Sequence, residues 1–171
     1  NSLSILKKLL DLYTRGQQWS NVVDILKQIA KQERDPINRA RLNYSIAAFY
    51  RDKLEDDLGA LEFYNLTLDD DVNQLKAFEA IDRILTSRRD WANLERNYRK
   101  MIKRVYDHDE GQFEDTKFLL WYGLGETHRT RLGKWDDATA SFQQAISLRP
   151  EELNLYRILA DLLVRQNRLD E

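Results

Sequence analysis

YGLGETHRTRLGKWDDATASFQQAISLRP, residues 122–150, decides the fold. Leu124, Gly125 and His128 fall on one helical face. Beyond Gly133, the small and aromatic residues Ala138, Phe142 and Ala145 fall on another, spaced by three or four as a helix requires. Gly133 and Pro150 punctuate the ends. Two helices, 112–131 and 135–148, joined by a tight turn, satisfy the pattern.

The same signature recurs along the chain. Aligning Trp19 with Trp91, 72 residues apart, matches Leu9 with Ile81, Leu12 with Ile84, Tyr13 with Leu85, Val22 with Leu94 and Leu26 with Tyr98. An offset of 78 matches Ile46 with Leu124, Ala47 with Gly125, Tyr50 with His128, Leu54 with Leu132, Ala60 with Ala138 and Tyr64 with Phe142. Two kinds of unit therefore alternate, and self-similarity of this kind marks a solenoid of helix pairs. Further helices are predicted at 3–15, 19–33, 37–51, 55–69, 73–87, 91–106 and 151–166. Pro36 and Pro150 stand where helices should begin, because proline's missing N–H is not needed there. Asp90 is the expected cap of the helix that Trp91 opens. Trp91 itself, in RDWANLERNYRKMI (89–102), heads the face of Leu94, Tyr98, Met101 and Val105 and is expected to be a buried packing keystone.

Composition agrees with an all-α chain of about nine helices. Of 171 residues, 42% are hydrophobic and 33% charged, enough to fill a core, and six Gly with two Pro leave few helix breaks. The net charge of −2 exerts no global pull toward nucleic acid or an anionic membrane. Zero cysteines exclude disulfides and thiolate metal sites and leave the compartment open. The longest apolar stretch, 118–125, is far short of the roughly 20 residues of a membrane helix.

Residues 122–150 resemble the tetratricopeptide repeat. Trp121, Leu124, Gly125, His128, Gly133, Trp135, Ala138, Phe142, Ala145 and Pro150 stand at the family's signature positions, with one residue inserted between His128 and Gly133. The next unit keeps Tyr156, Leu159, Ala160 and Leu163. The unit from Lys76 keeps Phe78, Ile81, Leu85, Trp91 and Tyr98 without the small residues. The resemblance implies an α-solenoid of stacked antiparallel pairs, with units near 3–36, 37–72, 73–108, 109–150 and a partial 151–171. The array is expected to continue beyond both ends. Leu155, Ile158, Leu159, Leu162 and Leu163 should then form a partly uncovered patch that favours self-association.

Function, on this resemblance, is non-enzymatic: a scaffold whose first helices line a concave groove for a peptide or a partner protein's segment. Carried onto this sequence, the groove positions are Lys7 and Asp11; Tyr44, Ala48 and Arg51; Lys76, Glu79 and Arg83; Tyr122, Glu126 and Arg129; Arg157 and Asp161. Tyrosine offers wide contact with few rotors and arginine a planar fork, which suits a ligand with apolar anchors and acidic residues. The alternative is that Tyr44 and Tyr122 merely pack between first helices and the chain is a spacer or oligomerisation segment. The family's carboxylate clamp is not carried over, because Lys7 is followed by Asp11 and Ser45 stands in the next helix.

Other chemistry has little support. The two histidines are His108, in an acidic stretch, and His128, at a packing position. No nucleophile elbow, phosphate loop or paired-histidine zinc helix occurs, and no cofactor is implied. Asp107–Gly111 fails the calcium-loop spacing, since Gly111 is fifth and Lys117 eleventh from Asp107. A solvated loop whose Glu110, Glu114 and Asp115 favour a helix N-terminus is expected instead. Arg96, Arg99, Lys100, Lys103 and Arg104 form a basic row that could meet phosphates, the weakest of the binding readings given the overall charge.

Overall fold

A computed structural model describes residues 2–108 and 111–169, with side chains to residue 167. Asp109 and Glu110 of the acidic stretch, and the terminal Asp170 and Glu171, lie outside the described residues. Among the described residues are nine α-helices and no strand: α1 (Ser2–Arg15), α2 (Trp19–Gln32), α3 (Pro36–Asp52), α4 (Asp57–Asp70), α5 (Leu75–Ser87), α6 (Trp91–Asp107), α7 (Glu114–Thr127), α8 (Trp135–Leu148) and α9 (Leu153–Leu169). They form two compact units, Asn1–Ile84 and Leu85–Glu171. In the first, α1 packs on α2, α2 on α3 and α3 on α4; in the second, α6 packs on α7, α7 on α8 and α8 on α9. Short turns make neighbours antiparallel, which is the helix-pair stacking of an α-solenoid.

Local chemistry sets the boundaries. Asp35, Asp56 and Asp90 accept from the backbone N–H of Asn38, Gly59 and Asn93 at 3.0, 3.0 and 3.3 Å, so each caps its helix, Asp90 as its position predicts. Pro36 opens α3 as expected. Pro150 does not open a helix. It lies in a turn closed by Glu152 N–H to the Arg149 carbonyl, and α9 begins three residues later at Leu153. Asp71 holds back the start of α5 by accepting from Asn73 N–H at 3.1 Å and from the Gln74 amide at 3.1 Å.

The two kinds of unit have a physical cause in their turns. Gln17, Glu55, Arg89 and Gly133 each stand two residues before a second helix with φ of 53°, 52°, 54° and 62°. In the pairs related by the 72-residue offset, the next N–H reaches back five residues: Gln18 to Tyr13 and Asp90 to Leu85, both 2.9 Å. In those related by 78, it reaches back six: Asp56 to Tyr50 at 2.9 Å and Lys134 to His128 at 3.0 Å. The residue inserted after His128 is absorbed by a π-helical turn, His128–Leu132, that continues α7. Three of the four left-handed positions carry a side chain, which strains the backbone there. Gln17→Gly, Glu55→Gly and Arg89→Gly are each expected to raise stability by up to about 1 kcal/mol, read as a shift of the urea midpoint.

Packing explains the glycines of the opening stretch. A Cβ on Gly123 would lie 2.5 Å from the Tyr98 ring of α6, and one on Gly125 would lie 2.9 Å from the Phe142 ring of α8. The pair thus lets α7 approach a neighbour on each side. Ala60, Ala138 and Ala145 are fully buried, as are the rings of Tyr64 and Phe142, which stand 78 residues apart in α4 and α8.

The tryptophans are not buried keystones. Trp19, Trp91 and Trp135 are the first residues of α2, α6 and α8 and remain half-exposed. Each is capped by a cation from the end of the next first helix: Lys53 at 5.0 Å, Arg131 at 4.5 Å and Arg165 at 5.5 Å from the ring centroid. A ring at a helix N-terminus has one face on the stack and one toward water, and the cation covers the second. The keystone role belongs to Tyr64 and Phe142.

Candidate functional site

In the first unit two of the predicted groove residues, Tyr44 and Arg51, meet Tyr64. Tyr44 is half-buried on α3 and meets the Tyr64 ring edge-on, 5.4 Å between centroids at 64°. Two turns on, Arg51 is held by Asp52 through bonds of 2.7 and 3.0 Å, with its guanidinium carbon 5.9 Å from the Tyr64 centroid. Burial pushes the Tyr64 phenol up. Arg51 and Arg83 act against that shift, whereas Tyr44 and Asp52 add to it. Lys76, Glu79 and Arg83 are exposed on α5, and the 3.8 Å Glu79–Arg83 pair is too solvated to fix either side chain.

The second unit repeats the arrangement. Tyr122 is half-buried on α7, stacked on Phe118 at 6.1 Å and edge-on to Phe142 at 5.7 Å and 76°. Its position is Tyr44 plus 78, and Phe142 is Tyr64 plus 78. Arg129, the counterpart of Arg51, bonds both oxygens of Glu126 at 2.9 Å. This packing leaves each tyrosine only partly buried. Leu119, one turn before Tyr122, is 63% exposed and was not among the predicted positions. The signal for it is spacing: Leu119, Tyr122, Glu126 and Arg129 follow at intervals of three and four. Arg157 and Asp161 stand exposed on α9. Of the five apolar positions expected to be uncovered there, Leu155 and Leu162 are 1% exposed and pack on the α8 side. Lys7 and Asp11 border a shallow hollow of about 480 Å³ on α1, where Asp11 is paired with Arg15 at 2.9 Å.

A cleft of about 500 Å³ in the first unit includes none of the predicted groove residues. It is lined by Lys27, Arg39, Asn43, Phe63, Leu66 and Asp70, among others. Two of its three cations, Lys27 and Arg39, are engaged. Lys27 donates to the Tyr50 hydroxyl, and Arg39 is forked by Asp70.

A buried polar network stands between α6, α7 and α8. The carboxylate of Glu95, 13% exposed, accepts from His128 Nε2 at 2.8 Å, Lys134 Nζ at 3.2 Å and Arg99 at 3.1 Å. Burial alone would raise this carboxyl; the bonds from His128, Lys134 and Arg99 outweigh it and hold the pKa at about 2. Ser141 Oγ lies 3.5 Å from His128 Nδ1. Serine, histidine and carboxylate in line suggest a hydrolytic trio, but Ser141 and His128 are 3% and 0% exposed, so no substrate reaches the hydroxyl. The network is structural. Among the described residues, no group of His, Cys, Asp and Glu could hold a metal, and no helix is long and apolar enough to cross a membrane.

Two of the five residues of the α6 basic row are paired with carboxylates on their own helix, and Lys100 stands exposed. Arg99 pairs with Glu95 and Lys103 with Asp107, Arg96 bonds Asn93, and Arg104 is buried. A phosphate contact at Arg99 or Lys103 would have to displace a carboxylate first.

The tetratricopeptide repeat family model matches residues 120–156. No curated protein matches the sequence. Among solved structures, MamA AMB-1 is 18% identical over 98% of this chain and 84% of that one, with a TM-score of 0.51. A second MamA crystal structure is 14% identical over 96% and 82%, with a TM-score of 0.50. At such identities the likeness is one of fold. Residues 120–156 match the tetratricopeptide repeat, and the chain as a whole shares a helix-pair fold with these structures.

Proposed function

We propose that the chain is a protein-interaction scaffold whose first helices receive a peptide or a partner protein's segment on their tyrosine faces. One observation carries this reading: Tyr44 and Tyr122 recur with the same edge-on support from a buried ring, the same half-exposure and an arginine seven residues on. Support from below holds each ring in place, so little rotamer entropy is lost when a ligand covers the open side. Arg51 and Arg129 bring a guanidinium to the surroundings of each tyrosine, although Asp52 and Glu126 compete for the forks. Lys76 and Glu79 in the first unit and Arg157 in the second are exposed and add polar positions to their own unit, while Leu119 adds an apolar anchor beside Tyr122. The favoured ligand is an extended segment with an aromatic or aliphatic anchor next to an acidic residue.

Selection from a displayed library of random peptides is expected to yield such sequences. The double variant Tyr44→Ala, Tyr122→Ala, checked for intact helicity by circular dichroism, should weaken the selected peptides at least about tenfold. Unchanged affinity in the double variant would favour the spacer reading.

A further inference from the structure

We propose that the cleft between α2, α3 and α4 is a binding site for a small monocarboxylic acid with an amide at its middle, the chemistry of an N-acylated amino acid. The cleft lies inside the first unit, with α1 before its helices and α5 after them in the chain. Two cations mark its ends, and each joins all three helices. Arg39 of α3 is forked by Asp70 of α4 and donates to the Glu33 carbonyl that closes α2. Lys27 of α2 donates to the Tyr50 hydroxyl of α3 and lies 5.3 Å from the centroid of Phe63 on α4. Phe63 and Asp70 are two turns apart on α4, so the ends are separated by about 10 Å.

The ends differ in charge. Asp70 neutralises Arg39, whereas Lys27 meets only a hydroxyl and the faces of Tyr50 and Phe63, and among the described residues no carboxylate pairs with it. An ammonium carries three N–H donors, so two remain for a ligand. A carboxylate placed there would gain charge-assisted bonds in a half-buried setting that salt screens weakly. Asn43, between the ends, selects the rest of the molecule. Its side chain is 6% exposed and lines the cleft, yet its amide has no hydrogen bond to any described residue. Buried carboxamides are as a rule paired. With one accepting oxygen and one donating nitrogen, Asn43 matches another amide, which offers the same two groups in reverse. Ala30, Phe63 and Leu66 supply an apolar wall, and the volume of about 500 Å³ is that of a small-molecule site. Glu62 and Asp69, both exposed, also line the cleft and disfavour a second negative charge on the ligand, with Lys31 the one further cation. Because Arg39 ties the three helices together at the far end, the occupant is a short molecule and not the end of a longer chain.

Hippurate, the benzoyl amide of glycine, is the probe: its carboxylate accepts from Lys27, its amide pairs with Asn43 and its ring lies on Leu66. Titrated into the isotope-labelled full chain and followed by NMR, it is expected to shift the Asn43 side-chain amide saturably, with a Kd of about 0.1–2 mM for a ligand of this size. Its methyl ester, which lacks the charge, and phenylbutanoate, which lacks the amide, should each bind at least about fivefold more weakly. Hippurate should lose a similar factor on the Lys27→Met chain, which keeps the apolar stem, checked for unchanged circular dichroism. The comparison of analogues needs no variant and stands by itself. A hexapeptide ending in phenylalanylglycine carries the same carboxylate and amide and should bind more weakly than hippurate, because Arg39 and Asp70 block its extension. Absence of saturation at about 20 mM hippurate, or affinity equal to hippurate's for either analogue, would overturn the proposal. Tighter binding of the hexapeptide would overturn it too, since a chain terminus would then be the occupant.

Discussion

Phe142→Ala is expected to lower unfolding stability by about 3–5 kcal/mol, the usual loss for a large aromatic from a close-packed core. The ring is 0% exposed and gathers Ala138, Ala145, Phe118, Leu155 and Leu162 about it. Its neighbours cannot refill the space. Gly125 has no side chain, Ala138 and Ala145 are too short, and Tyr122 leans on the ring edge from 5.7 Å away. The cavity should therefore persist, and the loss should sit near the top of the range. A second variant separates cavity from contact. Gly125→Ala alone places a methyl 2.9 Å from the ring and should destabilise by about 1–3 kcal/mol, whereas combined with Phe142→Ala it fills vacated space and should recover part of the loss. Urea denaturation of the four-member cycle measures both terms. A loss under about 1 kcal/mol for Phe142→Ala, or strict additivity in the cycle, would mean that the ring is not what α7 and α8 close around.

How much of this was readable in the chain depends on the distance over which each feature is determined. Helix starts at Trp19, Pro36, Trp91 and Trp135 were legible because caps, proline and the change of apolar phase lie within a few residues. The alternation of two unit types was legible as offsets of 72 and 78. Its cause, a turn reaching back five residues or six, is a hydrogen-bond register that side-chain types do not announce. Half-exposure of the tryptophans was not legible, because the cations that cap them come from residues 30 to 40 positions later. Leu119 was hidden for a related reason: a leucine one turn from Tyr122 and beside Phe118 reads as core until the turn of the helix puts it outside. Pro150 misled because a proline can open a helix or close a turn, and the backbone of Arg149 and Glu152 decides which.

Glu95 was the least readable of all, and it carries the second large effect. In sequence it is one carboxylate among the charges of an amphipathic helix. In the fold it meets His128 and Lys134, 33 and 39 residues away. Glu95→Gln keeps the shape, removes the charge and is expected to destabilise by about 2 kcal/mol at pH 7, chiefly through weakened charge-assisted bonds around a buried histidine. The pH dependence follows from the depressed carboxyl. Its folded pKa of about 2 lies below the ordinary 4.5, so the unfolded chain takes up the proton first as acid is added. The stabilisation is therefore complete above the ordinary value and is lost as pH falls toward the folded one. The full shift sets a ceiling of about 3 kcal/mol, and solvent around Lys134 and Arg99, 48% and 52% exposed, brings it down to about 2. Urea titrations of both proteins between pH 7 and pH 3 should show a constant gap down to about pH 5 and a gap reduced by more than half at pH 3. A gap that stays level across that range would show that the side-chain shape of Glu95, rather than its charge, holds α6 to the π turn.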